Sequence, residues 1–164
     1  MPFTSSLARR FELPISSQGQ LLAVLALLSI LVSSVSVGLN GIRLGFTSLF
    51  FIPGAFVVTI IHHLSIWYNL RIHNRTSPAQ IHTPPFLKHA GNILVLLMVS
   101  LLWMAGGILT IIFILIGAPY GAQTMSSVPD WISSGLAFAE AMVLLFMMAI
   151  CWRALAREGY RPSW

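Results

Sequence analysis

Four long apolar stretches, joined by shorter polar segments, dominate the chain: roughly residues 19–39, 46–70, 92–117 and 131–152. Each reaches the ~20 residues a helix needs to cross the hydrocarbon core of a bilayer. None alternates with period two, as a membrane β-strand must. Helices close their own backbone hydrogen bonds, which is the condition lipid imposes on any spanning segment. The pattern therefore predicts an all-α fold: an antiparallel bundle of four transmembrane helices, forming one integral membrane domain over residues 1–164. Pro53-Gly54 falls early in the second stretch, where a proline is expected to free a carbonyl and bend the helix. Trp67, Tyr68, Tyr120, Trp131 and Trp152 fall at stretch ends, the placement of an aromatic belt. Trp103, near mid-span, departs from it.

Composition points the same way. Hydrophobic residues make up 57% of the chain and charged residues 8%, against about 25% charged in a soluble domain. The net charge of +5 does not imply nucleic acid, because the basic residues cluster at the ends of apolar runs, where anionic headgroups are the partner. Arg9 and Arg10 lie in the tail 1–18. Arg71, Arg75 and Lys88 lie in the loop 71–91, and Arg153, Arg157 and Arg161 in the tail 153–164. In a four-span chain these segments share one side and hold eight of the nine positive charges. The positive-inside rule makes that side cytosolic, with both termini. The competing reading of the first 36 residues is a cleaved signal peptide, with small residues near Ser34 and Ser36, but the apolar run is span-length. Asn74-Arg75-Thr76 is a glycosylation sequon. It is expected to stay unmodified in the cytosol, so a glycan there would reverse the orientation.

Glu140 is the most informative residue. It lies nine residues into the fourth stretch, roughly 14 Å from its outer end at 1.5 Å per residue. An ionisable side chain at that depth is costly and is a functional candidate by default. Ser133, Ala137 and Val143 share its face, whereas Phe138, Met142 and Leu145 point elsewhere, so Glu140 is expected to look into the bundle. Ser29, Ser33, Ser36 and Asn40 recur at spacings of four, three and four, which lines one face of the first helix. In an up-and-down bundle the first and last helices are neighbours. Glu140, as the neutral acid, is therefore expected to hydrogen-bond Ser29 or Ser33. Together these residues form the candidate intramembrane polar site. Its bland interpretation is interhelical glue, and its sharper ones are a proton or ion path or partner recognition.

Other features carry less. His62, His63, His73, His82 and His89 fall between late span two and the start of span three, which invites a metal or haem site. Adjacent His62 and His63 diverge by about 100° on a helix, and no carboxylate or cysteine joins the cluster, so histidines of a basic cytosolic segment are the expectation. No cofactor or metal site is assigned, and no catalytic residue. The pairs Gly106/Thr110, Gly135/Ala139 and Ala137/Ala141 have the spacing of close helix packing. Phe3, Leu7 and Phe11 form a stripe fit for a short interfacial helix or a mitochondrial presequence. Cys151, the one cysteine, excludes an intrachain disulfide and is a candidate for lipidation at the cytosolic end of span four, or a small packing residue. Ser77-Pro78 and Thr83-Pro84 are candidate phosphorylation sites in a polar loop.

The whole-chain pattern of four spans, short outer loops and a basic tail reading Arg153-Ala-Leu-Ala-Arg157-Glu158 resembles the MARVEL-like small tetraspan proteins, especially fungal ones. Cysteines that such proteins often carry in an outer loop are missing here. The resemblance implies a role in membrane organisation or trafficking and no catalytic residue. The leading expectation is thus a non-enzymatic tetraspan protein or accessory subunit, partnered by lipid and by another membrane protein or a second copy. The plasma membrane or an endomembrane is its expected location, with the mitochondrial inner membrane as alternative. The runner-up is a small transporter or channel component with a polar path around Glu140, and a membrane haem or metal protein comes third.

Overall fold

The computed structural model describes residues 17–41, 46–76, 89–117 and 128–159. They fold into four helices, α1 (Ser17–Gly41), α2 (Phe51–Thr76), α3 (Ala90–Gly117) and α4 (Val128–Gly159), with a short 3₁₀ turn at Phe46–Ser48 ahead of α2. All four are long and apolar enough to cross a membrane. The N-terminal tail to residue 16, most of the loop between α2 and α3 with Ser77, Thr83 and His82, and Tyr120 lie outside the described residues.

Local chemistry sets the ends. α1 stops at Gly41, a residue that ends helices without steric cost. At the start of α3 the His89 ring accepts a hydrogen bond from Gly91 N–H at Nδ1, 3.2 Å away, in the manner of an N-cap. α4 opens on Val128-Pro129-Asp130, with proline in the first turn, where its missing N–H costs nothing, and a carboxylate beside the positive end of the helix dipole.

The second element differs from expectation at both ends. The segment 46–50 is not helix: the 3₁₀ turn is followed by Leu49 and Phe50 at φ of 48° and 64°, a left-handed geometry uncommon for residues with a Cβ. Helix α2 begins only at Phe51. This puts Pro53 in the first turn, where no i−4 bond is lost, so α2 is one continuous helix through Pro53-Gly54 and the expected interruption is absent. At its far end α2 runs on to Thr76, past the expected limit of 70. Its 26 residues span about 39 Å at 1.5 Å per residue, more than the ~30 Å hydrocarbon core. Arg71, His73, Asn74 and Arg75 thus belong to a helical extension rather than to a loop.

Cross-helix contacts show an up-and-down ring. Ser29 of α1 meets His63 of α2, Thr59 of α2 meets Trp103 of α3, Ser134 of α4 meets Gly107 of α3, and Ser36 of α1 meets Ser133 of α4. Each helix is antiparallel to its neighbours. α4 packs most extensively, on α3 and α1, and α2 makes the slimmer contacts.

Large apolar side chains cover the outside: Leu27 and Leu31 of α1, Ile61 of α2, Leu101 of α3 and Met142 of α4 are all exposed. The belt residues Trp67, Tyr68, Trp131 and Trp152 are exposed as well. The interior divides in two. Toward the end marked by Asn92 and Cys151 it is apolar, with Leu22, Ile66, Leu96, Leu144 and Met147 buried together. Toward the end marked by Asn40 and Asp130 it is largely polar, with Ser29, Ser33, Ser36, Asn40, Thr47, Ser48, Asp130, Ser133 and Glu140 all essentially inaccessible.

Candidate functional site

The polar half is built in tiers along the seam between α1 and α4. At the Asn40/Asp130 end, Asn40 Nδ2 donates to Thr47 Oγ1 (3.1 Å) and Ser48 Oγ donates to Asn40 Oδ1 (3.0 Å). Thr47 Oγ1 donates in turn to Asp130 Oδ1 (3.3 Å). One amide thereby ties the end of α1 to the 3₁₀ turn, and Thr47 ties that turn to the first turn of α4. A tier lower, Ser36 Oγ donates to the carbonyl of Ser133 and Ser133 Oγ donates to the carbonyl of Ser36, both at 3.0 Å. This reciprocal pair lets two helix backbones approach closely and satisfies both hydroxyls.

The lowest tier holds Glu140, ten residues along α4 from Asp130, roughly 15 Å at 1.5 Å per residue. Ser29 Oγ–H donates to Glu140 Oε1. With its only proton so committed, Ser29 Oγ accepts from His63 Nε2–H at 2.7 Å. Glu140 and Ser29 are fully buried and His63 is 3% exposed. Among the described residues, Glu140 Oε2 and His63 Nδ1 have no hydrogen-bond partner, nor does His62 Nε2. The His62 and His63 rings stand 5.9 Å apart and tilted by 44°.

Of the residues singled out in the sequence, Ser29 and Ser36 bond other helices across the bundle, and Asn40 bonds the 3₁₀ turn that follows its own helix. Ser33 is buried on the same face but bonds its own helix, donating to the Ile30 carbonyl (3.1 Å), and does not reach Glu140. Ala137 and Ala141 are buried beside Glu140, and Val143 is half-buried. Phe138, placed away from the Glu140 face, is half-buried against α3, where its ring faces Gly107. Trp103 is fully buried because its indole N–H donates to Thr59 Oγ1 (3.0 Å), which itself donates to the Ala55 carbonyl (2.8 Å). Cys151 lies buried between α4 and α3, with Sγ 3.8 Å from Asn92 Nδ2. A thioester there would have to displace that packing.

His63 was missed. Counted among the histidines of a basic segment, it belongs to the core of α2. Ile52, Ala55, Thr59, His63 and Ile66 are all buried, and their spacings of three and four form one helical stripe. Reading that stripe for polar members would have brought Thr59 and His63 forward together. His62, on the neighbouring face, takes no part in it. Among the described residues no group of three His, Cys, Asp or Glu side chains converges on a metal position, so the haem or metal reading gains no support from the geometry. Gly106 meets Phe51 and Ile52, and Ala137 and Ala141 are buried in the core, whereas Gly135 has nothing near it and Ala139 is exposed.

Set against known proteins, the chain matches no family model, no characterised protein and no solved structure.

Proposed function

We propose that the chain is a small multi-pass membrane transport component, in which a polar species reaches Glu140 through the polar half of the bundle. The observation that carries this reading is the tiered column from Asn40 and Asp130 down to Ser29, Glu140 and His63. A dozen buried polar side chains concentrated in half of the core, above an apolar plug of Leu22, Leu96, Leu144 and Met147, support the reading of an access path closed at one end. With the basic segments on the cytosolic side, the Asn40/Asp130 end faces outward and the plug faces the cytosol. The decisive experiment is flux into liposomes bearing the purified chain. Glu140→Gln keeps the size and one hydrogen-bonding oxygen but cannot carry or release a proton. Loss of flux with unchanged abundance and helicity is expected, and flux equal to wild type refutes the reading.

A second reading, membrane organisation or an accessory subunit, fits the resemblance to MARVEL-like tetraspan proteins. It is favoured by the largely apolar exterior of the described residues and by the exposed small pair Gly135/Ala139 on α4, which is open to another helix. Under it Glu140→Gln changes stability alone, and purification in mild detergent brings down a stoichiometric membrane partner.

A further inference from the structure

Glu140 on α4 and His63 on α2 stand on opposite corners of the ring of helices, and Ser29 of α1 joins them. A hydroxyl has one proton and two acceptor positions, so it can accept from one side while donating to the other. Both outer groups are buried side chains that exchange protons, and each keeps a second polar atom without a partner among the described residues, Oε2 on Glu140 and Nδ1 on His63. We infer that Glu140, Ser29 and His63 form a proton relay whose ligand is H⁺ itself. This rests on the transport reading and names its substrate class.

The step balances without any outside reagent. In the loaded state the neutral Glu140 carboxyl donates to Ser29 Oγ, and the Ser29 hydroxyl donates to His63 Nε2. The Glu140 O–H bond breaks as a new O–H bond forms at Ser29. The proton that Ser29 held passes to Nε2. A carboxylate and an imidazolium result, and every hydrogen bond has reversed direction. No electrons move. His63 then gives up the proton at Nδ1, and Glu140 takes a new one at Oε2. Turning the carboxyl and the imidazole over in place brings the loaded oxygen and the stripped nitrogen back to face Ser29.

A proton suits this site better than any other cation or a polar solute. The three side chains are in direct contact, at 2.7 Å between Ser29 and His63, and all are closed to solvent. A sodium ion takes several oxygen ligands and the room to hold them. A proton needs only the chain of hydrogen bonds. The relay runs across the bundle, from the α1–α4 seam to α2, where the His62 ring stands 5.9 Å from that of His63.

The test uses the full chain in phosphatidylcholine–phosphatidylglycerol vesicles holding a pH-sensitive dye. An imposed pH difference drives proton entry under a clamped potential, and release of sodium and of glycerol is followed in parallel. Wild type is expected to pass protons, more slowly in D₂O. Ser29→Ala and Glu140→Gln should each reduce the rate roughly a hundredfold, the low end of what a positioned proton-transfer group supplies. Ser29→Thr restores the hydroxyl and should retain most of the rate. A Ser29→Ala rate equal to wild type overturns the relay. Sodium or glycerol passage without proton entry overturns the relay and leaves the transport reading standing. Passage of none of them overturns both. Should Ser29→Ala lose its helical circular dichroism, the wild-type isotope effect and Ser29→Thr decide, and a proton rate indifferent to D₂O counts against the relay.

Discussion

A single methyl group placed at Gly106 tests whether the contact between α2 and α3 is as tight as described. An ideal Cβ there would sit 2.8 Å from Ile52 Cγ1, 3.2 Å from the Ile52 backbone nitrogen and 3.3 Å from Phe51 Cβ. Ile52 is fully buried and its Cγ1 is not a free chain end, so the first turn of α2 must move. Overpacking of this kind costs about 1–3 kcal/mol. Alanine returns up to ~1 kcal/mol through its better helix propensity. With the full return, the net for Gly106→Ala is a loss of up to about 2 kcal/mol, or up to about 8 °C in Tm for a chain of this length. Gly107→Ala is the matched control. Its new Cβ would meet only side-chain atoms, the edge of the Phe138 ring at 3.3 Å and Ala137 Cβ at 3.5 Å, and a ring edge can give. That variant should be neutral or slightly stabilised. Ile52→Ala removes the offending Cγ1, so the double variant Gly106→Ala/Ile52→Ala should be more stable than the summed single effects, as coupled neighbours require. Thermal unfolding in detergent, followed by circular dichroism, reads all four. A Gly106→Ala protein melting at or above Gly107→Ala would show that the helices are not in the described contact.

Three further outcomes are expected. Trp103→Phe removes the indole donor to buried Thr59 and should cost about 1 kcal/mol for the hydrogen bond, read as a lower Tm. Asn40→Ala cuts the tie between α1 and the 3₁₀ turn, and amide hydrogen exchange at residues 46–50 should rise while α3 stays protected. Cys151 should react slowly with maleimide in the folded protein, because the residue is 2% exposed, and quickly once the bundle is unfolded. Fast labelling of the native state would contradict its placement between α3 and α4.

The helices and their number were legible because lipid makes a coarse demand: some twenty apolar residues in a row. The α1–α4 seam was legible for a related reason. Against so apolar a background each serine, asparagine or glutamate is conspicuous, and the spacing of Ser29, Ser33, Ser36 and Asn40 alone placed them on one face. Three things were not legible. Leu49 and Phe50 give no sign of a positive φ, since the turn is held from outside by Asn40 and Asp130, through Thr47 and Ser48, rather than by residues that prefer it. Pro53 was read as a kink because helix starts are hard to place to within a few residues, and two residues decide whether a proline sits in the first turn or the interior. His63 was hidden by its neighbours: adjacent to His62 and close to a basic segment, it looked like part of a polar edge. Its place in the core became visible only once Thr59 found Trp103 and fixed which side of α2 faces inward.

The Ser29–His63 bond also bears on how the chain enters the bilayer. A lone α2 would have to carry His63 into hydrocarbon without its Ser29 partner, on top of a polar extension at its far end, and an unsatisfied polar side chain weighs against insertion. α1 precedes it and already presents Ser29 at matching depth, with Asn40 ready for Ser48 at the hairpin's tip. In a membrane-spanning chain the first two helices are therefore matched to insert as a pair. A chain lacking Ser29 and Asn40 should have difficulty at the moment of biogenesis, before α4 and its carboxyl have been synthesised.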